Sequence, residues 1–419
     1  MNRKRRKRTA FAAVIVSLAL VAAACGTDDA AEAPEFGDLA GVVVPEGGGV
    51  RIAALQAISG SVANLGADQV RAIQIAIDDF GQIEGHDVFL SVEDDLCLSA
   101  GGNTGATRIV SDPQILGIVG TSCSGAAVPA SEIMSEAGLV MVSGSNTSPS
   151  LTSRGNLTGN PEKAESWSDG YFRVAHNDEY QGQGVGEFLA DFLGVSTLAT
   201  LHDGDPYTEN LATETQKAFE AAGGTVVFAG SVGKEDTDMR PVLTEVAAAA
   251  PEVLFFPIFQ PAADFLVLQA PDVAGFENIQ LMGADGLLSQ TYVTLPETEG
   301  MYFSGPAGKA SAEYDQLVAT YTERYNEAPV QAFHAHAYDA AILLLTKIAE
   351  VAEVQEDGSL HIDRKALRDA MYATSGHEGL TGTITCNEFG DCGAPGISVY
   401  QNADPEAGIT GTMGNAVWP

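Results

Sequence analysis

From Val50 onward, short apolar runs alternate with longer amphipathic ones, and the alternation restarts near residue 180. Few architectures accommodate that pattern. Arg51 to Ile58 reads as a strand. Ser59-Gly60-Ser61 then leads into a helix whose Val70, Ile73, Ile77 and Phe80 recur at i, i+3, i+7 and i+10 on one face. Val88 to Val92 is the next strand, followed by a helix around Gly105 to Ser111. Ile115 to Gly120 is a strand followed by a helix from about Ala126 to Ala137, and Leu139 to Ser143 closes the run. The second series opens with helix 180 to 193, strand Thr197 to His202, helix 207 to 222 and strand Thr225 to Ala229. It continues through helix 238 to 249, strand Val253 to Phe259, helix 261 to 270 and strand Ile279 to Gly283. Strands separated by helices make βαβ units, with parallel pairing and right-handed crossovers. Two such series imply an α/β protein of two lobes, since about 395 residues beyond an export signal are too many for one core of ordinary size. Three helices follow, near 311 to 326, 332 to 352 and 363 to 374, and β signals return at Thr381 to Thr385 and Gly396 to Tyr400.

The N-terminus carries a different signal. MNRKRRKR holds six of the chain's 21 basic residues, Thr9 to Ala24 is small and apolar, and the run stops at the first cysteine, Cys25. A basic n-region followed by an h-region of roughly 15 residues is an export signal, too short and alanine-rich for a stable membrane span. Val21-Ala22-Ala23-Ala24-Cys25 resembles a bacterial lipobox, in which a signal peptidase cleaves before a cysteine that carries the lipid. An ordinary secretory signal with an Ala-x-Ala site at Ala22 to Ala24, or an uncleaved anchor, are the alternatives. All three place the remaining chain outside the cytoplasm, anchored to the cell membrane or released from it. Residues 25 to 48 are acidic and rich in Ala, Gly and Pro, without a sustained period, and read as a flexible tether.

Removing Cys25 leaves Cys97, Cys123, Cys386 and Cys392, an even set for an oxidising compartment. Closeness in sequence favours Cys386 with Cys392, leaving Cys97 with Cys123; buried free thiols are the alternative. A zinc site is disfavoured, because there is no CxxC and the partners are far apart. The formal net charge is −35, and without the six basic residues of the signal 15 basic face 56 acidic ones, about −41. Such a surface repels nucleic acid and anionic headgroups, so neither is expected as a partner.

Several segments then line up in order. Ala57-Ile58-Ser59-Gly60 with Gly66, Asp94-Asp95 with Cys97, Gly120-Thr121-Ser122-Cys123-Ser124, Ser143 to Thr147, and Tyr171-Phe172-Arg173 with Gln181-Gly182 resemble the branched-chain amino-acid binding proteins. These are the extracytoplasmic receptors of ABC importers, of the Leu/Ile/Val-binding type. The resemblance covers nearly all of the chain from Val50. It implies a type I periplasmic binding fold, with two doubly wound Rossmann-like lobes joined by three hinge crossovers and closing on a ligand. Transferred to this sequence, 1–24 is the signal peptide and 25–48 the tether. Lobe 1 becomes 48–174 plus 305–378, and lobe 2 becomes 175–304 plus 379–419. The cleft falls where the carboxyl ends of strands from both lobes meet.

A zwitterionic ligand needs donors for its carboxylate and acceptors for its ammonium, because burying either charge unpaired is prohibitive. In lobe 1, Ser124, Ser145 and Thr147 follow strands near a helix start, which suits a carboxylate. The resemblance places all three on those contacts, Ser145 mainly through its main chain. In lobe 2 it implies Asp285 for the ammonium, where the family usually has glutamate. It also implies Tyr207 as the aromatic covering the ligand, Phe259 in the side-chain pocket, and Leu65 where the family often has an aromatic residue. Read without the resemblance, Ser124 and Thr147 are also ordinary helix caps, Asp285 and Tyr207 also fit a turn and a helix start, and Phe259 also fits a core.

There is no GxxxxGK[ST], no GxSxG and no HExxH. His334 and His336 are two apart, so in a helix they point away from each other and make a poor metal pair. The expectation is therefore a monomeric binding protein, not an enzyme and without cofactor or metal, that captures an amino acid, branched-chain or another small one, or a related amide or carboxylate for an ABC permease. A sensor of the same fold signalling through a membrane partner is the alternative.

Overall fold

In the first sheet, strands Val50–Gln56, Val88–Asp94, Ile115–Gly120, Val140–Ser143 and Tyr171–Arg173 pair in parallel, with Val88–Asp94 and Tyr171–Arg173 at the edges. Its inner strands are covered by helices on both faces, which is why they read as continuous apolar runs rather than alternating ones. The computed structural model describes residues 38–308 and 310–419. The expected export signal, Cys25 and the expected tether up to residue 37 lie outside the described residues. No helix among the described residues is long and apolar enough to cross a membrane.

The second sheet orders its strands Thr225–Ser231, Thr197–His202, Val253–Phe255, Gln280–Gly283, Tyr302–Pro306, Ile397–Gln401 and Ala416–Trp418. The first five are parallel, and the last two add antiparallel edges. Strand Val253–Phe255 ends four residues earlier than the apolar run implies. Beyond Phe256 the chain turns away, and the Phe259 N–H goes to the Asp203 carboxylate at 2.9 Å. The helix expected around Gly105 to Ser111 is longer, Ser99–Val110.

Helix Ala63–Phe80 turns Ile73 and Ile77 into the first-lobe core, as its periodicity requires. Gly66 lets it approach the preceding strand: a Cβ there would lie 2.1 Å from the Ala57 carbonyl oxygen. On another face Ile75 meets Leu317 and Tyr321 of helix Ala312–Tyr325, so this helix is apolar on more than one side.

Two stretches depart from the sequence reading. Gly41–Val44, inside the range read as tether, is a strand paired antiparallel with Leu360–Asp363, and Val42 and Val44 are buried. Its alternation is only four residues long and its partner lies more than 300 residues away, so no local pattern reveals it. Residues 379–392, expected in the second lobe, pack on the first. Asp339 of helix His334–Val351 accepts the N–H groups of Leu380 and Thr381, both at 2.8 Å, and Cys392 and Ile384 join the first-lobe core. Both inferred disulfides are present, Cys97–Cys123 and Cys386–Cys392.

The lobes are therefore joined by three short crossovers, at 174–177, 307–311 and 393–396. They run side by side: the Cys392 N–H donates to the Arg173 carbonyl at 3.0 Å, and the Ala307 N–H to Gly396 at 3.0 Å.

Candidate functional site

The carboxyl ends of the two sheets meet at a small enclosed cavity lined by Leu65, Ser124 and Ser145 from the first lobe and Tyr207, Phe259 and Asp285 from the second. Six of the seven expected ligand residues thus converge. The seventh, Thr147, does not line the cavity; it is buried behind it, and its carbonyl accepts the Asp178 N–H at 3.0 Å.

Strand Ile115–Gly120 delivers the first-lobe wall. It ends at Gly120, whose φ of +151° sets the chain over Leu55; a Cβ would stand 2.1 Å from that residue's carbonyl oxygen. Ser122 is then fixed from three sides. Its N–H donates to Asp95 at 2.7 Å, its hydroxyl donates to Gln56 at 2.6 Å, and the same hydroxyl accepts the Ala57 N–H at 2.9 Å. Cys123, bonded to Cys97, precedes helix Ser124–Glu136, so the disulfide holds the residue that begins the helix. Orphan N–H groups and the positive end of the dipole at that start suit a carboxylate. The Ser124 hydroxyl accepts the Ser148 N–H at 3.3 Å, which keeps some of its capacity for a ligand. The Ser145 hydroxyl is already committed. It donates to the Ser122 carbonyl at 2.8 Å and accepts from the Gln69 amide at 3.0 Å, while the Ser145 N–H donates to the Ser143 hydroxyl at 3.2 Å.

The second-lobe wall has the opposite character. Asp285, 3% exposed, accepts the Gln181 amide at 2.6 Å and the Tyr207 hydroxyl at 3.2 Å. Burial pushes its pKa up to about 6, and the two hydrogen bonds pull it back part of the way. Tyr207 sits early in helix Pro206–Ala221, with Asp205 as its cap, and its hydroxyl also accepts the Gly286 N–H at 3.2 Å. Its ring lies 5.4 Å from that of Phe259, forming an aromatic corner.

Three contributors escaped the sequence reading. Phe333, just before helix His334–Val351, lines the cavity. Gln181 joins Asp285 to Ser304 and to His176 from the first turn-and-a-half of helix Asp178–Glu187. Asp178, in the same helix, is fully buried, and its pKa is raised by burial first and by the Asp285 charge second. Asp178 does not line the cavity, so Asp285 is the carboxylate that faces it.

Contacts across the cleft hold the walls together. Lys234 donates to the Cys97 carbonyl at 3.3 Å and to Asp205 at 2.8 Å, and Arg154 reaches Asn210 at 2.8 Å. Gly125 lies directly against Asp205; a Cβ would come within 2.4 Å of the carboxylate. His334 and His336 diverge, the first ring beside Tyr314 and the second beside Phe333. Among the described residues no group of three His, Cys, Asp or Glu side chains could hold a metal ion.

Residues 49–390 match the family model described as periplasmic binding protein. A Leu/Ile/Val-binding protein homologue of Brucella melitensis is 28% identical over 361 residues, 84% of this chain and 91% of that protein. A leucine-, isoleucine-, valine-, threonine- and alanine-binding protein of Pseudomonas aeruginosa is 26% identical, over 84% of this chain and 89% of its own length. Among solved structures, a leucine-binding protein of Thermotoga maritima superposes with a TM-score of 0.72 at 22% identity, covering 84% of this chain and 95% of that one. The branched-chain amino-acid transporter substrate-binding protein of Streptococcus pneumoniae, in complex with isoleucine, gives 0.70 at 22% identity, covering 88% of this chain and 100% of that one. With two doubly wound lobes, three crossovers and a cleft at the strand ends, the chain belongs to the periplasmic binding protein family, in its type I fold.

Proposed function

We propose that this chain is the extracytoplasmic receptor of an ABC importer. It captures an amino acid, branched-chain or another small amino acid or amide, and presents it to the permease. The observation that carries this reading is the polarity of the cavity: a helix start with Ser124 on one wall, and Asp285 with Tyr207 on the other. A zwitterion satisfies both walls at once, and an anion or a cation alone leaves one unpaired. Leu65, Phe259 and Phe333 provide an apolar lining for a side chain. The relatives named for binding leucine, isoleucine and valine support transport over signalling.

Binding is stoichiometric and without turnover. Thr147 stays grouped with Ser124 and Ser145 on the carboxylate side of the cleft, although it does not line the cavity itself. Cys25 carries a lipid that holds the receptor at the membrane, and lobe boundaries near 174, 307 and 393 let it close as a monomer. Isothermal titration against a panel of amino acids and amides should find one tight ligand per chain. Steady turnover of a chromogenic substrate with no binding to the panel would refute the reading. Asp285→Ala should weaken binding by about 2 kcal/mol or more, the cost of leaving a buried ammonium unpaired. Unchanged affinity would reject the ammonium assignment.

A further inference from the structure

A second cavity, of about 440 Å³, lies apart from the amino-acid cleft. One wall is helix Ala312–Tyr325, packed on helix Ala63–Phe80 of the first lobe; the other is helix Gly408–Met413, packed on Gln290–Val293 of the second. Val318, Pro329, Ile409 and Met413 make much of its lining apolar. Gln331 and His334, only 6% and 5% exposed, also line it.

Both of these side chains present an unused atom. Neither Gln331 Oε1 nor His334 Nε2 has a hydrogen-bond partner in the protein. Buried polar atoms are paired in the great majority of cases, so two orphans in one cavity call for an explanation. Their chemistry is the same. His334 Nδ1 lies 2.9 Å from the Gln331 carbonyl oxygen, which can only accept, so Nδ1 carries the proton and Nε2 presents a lone pair. Burial lowers the His334 pKa, which keeps the ring neutral. Asp315 adds a carboxylate to the lining. All three groups are acceptors, on a chain whose formal net charge is −35.

The segment bearing these atoms is held firmly. Asp68 accepts the Val330 N–H at 2.6 Å and the Tyr321 hydroxyl at 2.5 Å, and the Gln290 N–H donates across the lobes to the Val330 carbonyl at 3.0 Å. The backbone leading into Gln331 is thus fixed by the scaffold before any ligand arrives, which favours a binding site. The geometry points to a second small-molecule site in this groove, for a primary amine or comparable N–H donor carried on a compact apolar body. An ammonium offers three donors to the three acceptors, and the apolar wall takes the body.

Benzylamine is the probe, titrated into the full mature chain carrying Asp285→Ala, so that the cleft carboxylate cannot hold the amine. The site requires saturable binding in that background. It also requires at least a tenfold loss when His334→Phe is added, and a similar loss when Val318→Trp fills the groove. Gln331→Leu replaces His334→Phe if circular dichroism shows that variant unfolded. Absence of saturable binding to the Asp285→Ala protein, or binding that the added substitutions leave intact, would overturn the site.

Discussion

Asp285 concentrates the residue-scale argument, because its burial sets the pH at which the cleft can hold an ammonium. Its folded-state pKa of about 6 lies above the ordinary carboxylate value of 3.8. Below pH 6 the free protein holds a neutral acid there, so affinity for an amino acid should fall by up to tenfold per pH unit as pH drops through that range. Stability runs the other way. The native state keeps the proton more tightly than the unfolded chain, so the Asp285 contribution favours folding at low pH and is lost as pH rises from about 4 to 6. Titration calorimetry between pH 5 and 8 checks the first sign; flat affinity would show that Asp285 does not meet the ligand's charge. Ser145→Ala separates two roles. Its hydroxyl serves Ser122 and Gln69, so the substitution should cost about 1 kcal/mol of stability in urea melts and leave affinity nearly unchanged. The sequence brought Ser124, Ser145 and Asp285 forward by their places after strand ends, and Tyr207, Phe259 and Leu65 only through the family resemblance; all six line one cavity. Phe333 and Gln181 were not brought forward. An aromatic before an apolar helix reads as core, and a glutamine within a helix reads as surface, although Asp285 and Ser304 of its own lobe hold Gln181 inside.

At the scale of elements, the sequence told most about helices and inner strands, whose partners lie within one βαβ unit. Its silence fell on pairings made across the chain. Strand Gly41–Val44 is the clearest case, since only Leu360–Asp363 gives it a reason to be extended. Val44→Asp places a charge in that buried seam and should cost about 2 to 4 kcal/mol in chemical denaturation, although it lies far from the cleft. No loss of stability would mean that the strand is dispensable. The boundary at 379 cut through the hairpin of His377–Gly379 and Gly382–Ile384 and sent its second strand to the other lobe for a related reason. The hairpin's attachment to Asp339 runs through backbone N–H groups, which leave no mark on side-chain pattern.

At the scale of the whole molecule, affinity depends on how closely the lobes approach, and Gly125 measures that distance. The Asp205 carboxylate it touches is held by the Tyr207 N–H and by Lys234, so it cannot swing aside cheaply. Gly125→Val should therefore act as a wedge, lowering amino-acid affinity at least tenfold while leaving the melting temperature of the free protein within about 2 °C. Small-angle scattering should show the variant more open at saturating ligand; equal closure would place the approach elsewhere. The three crossovers carry a mechanical consequence. The Arg173–Cys392 and Ala307–Gly396 hydrogen bonds set them in a row, like the leaves of a piano hinge. A row of attachments permits swinging about its own line and resists twisting and sliding. The lobes then have essentially one angle to vary, and a permease touching both has only that angle to read.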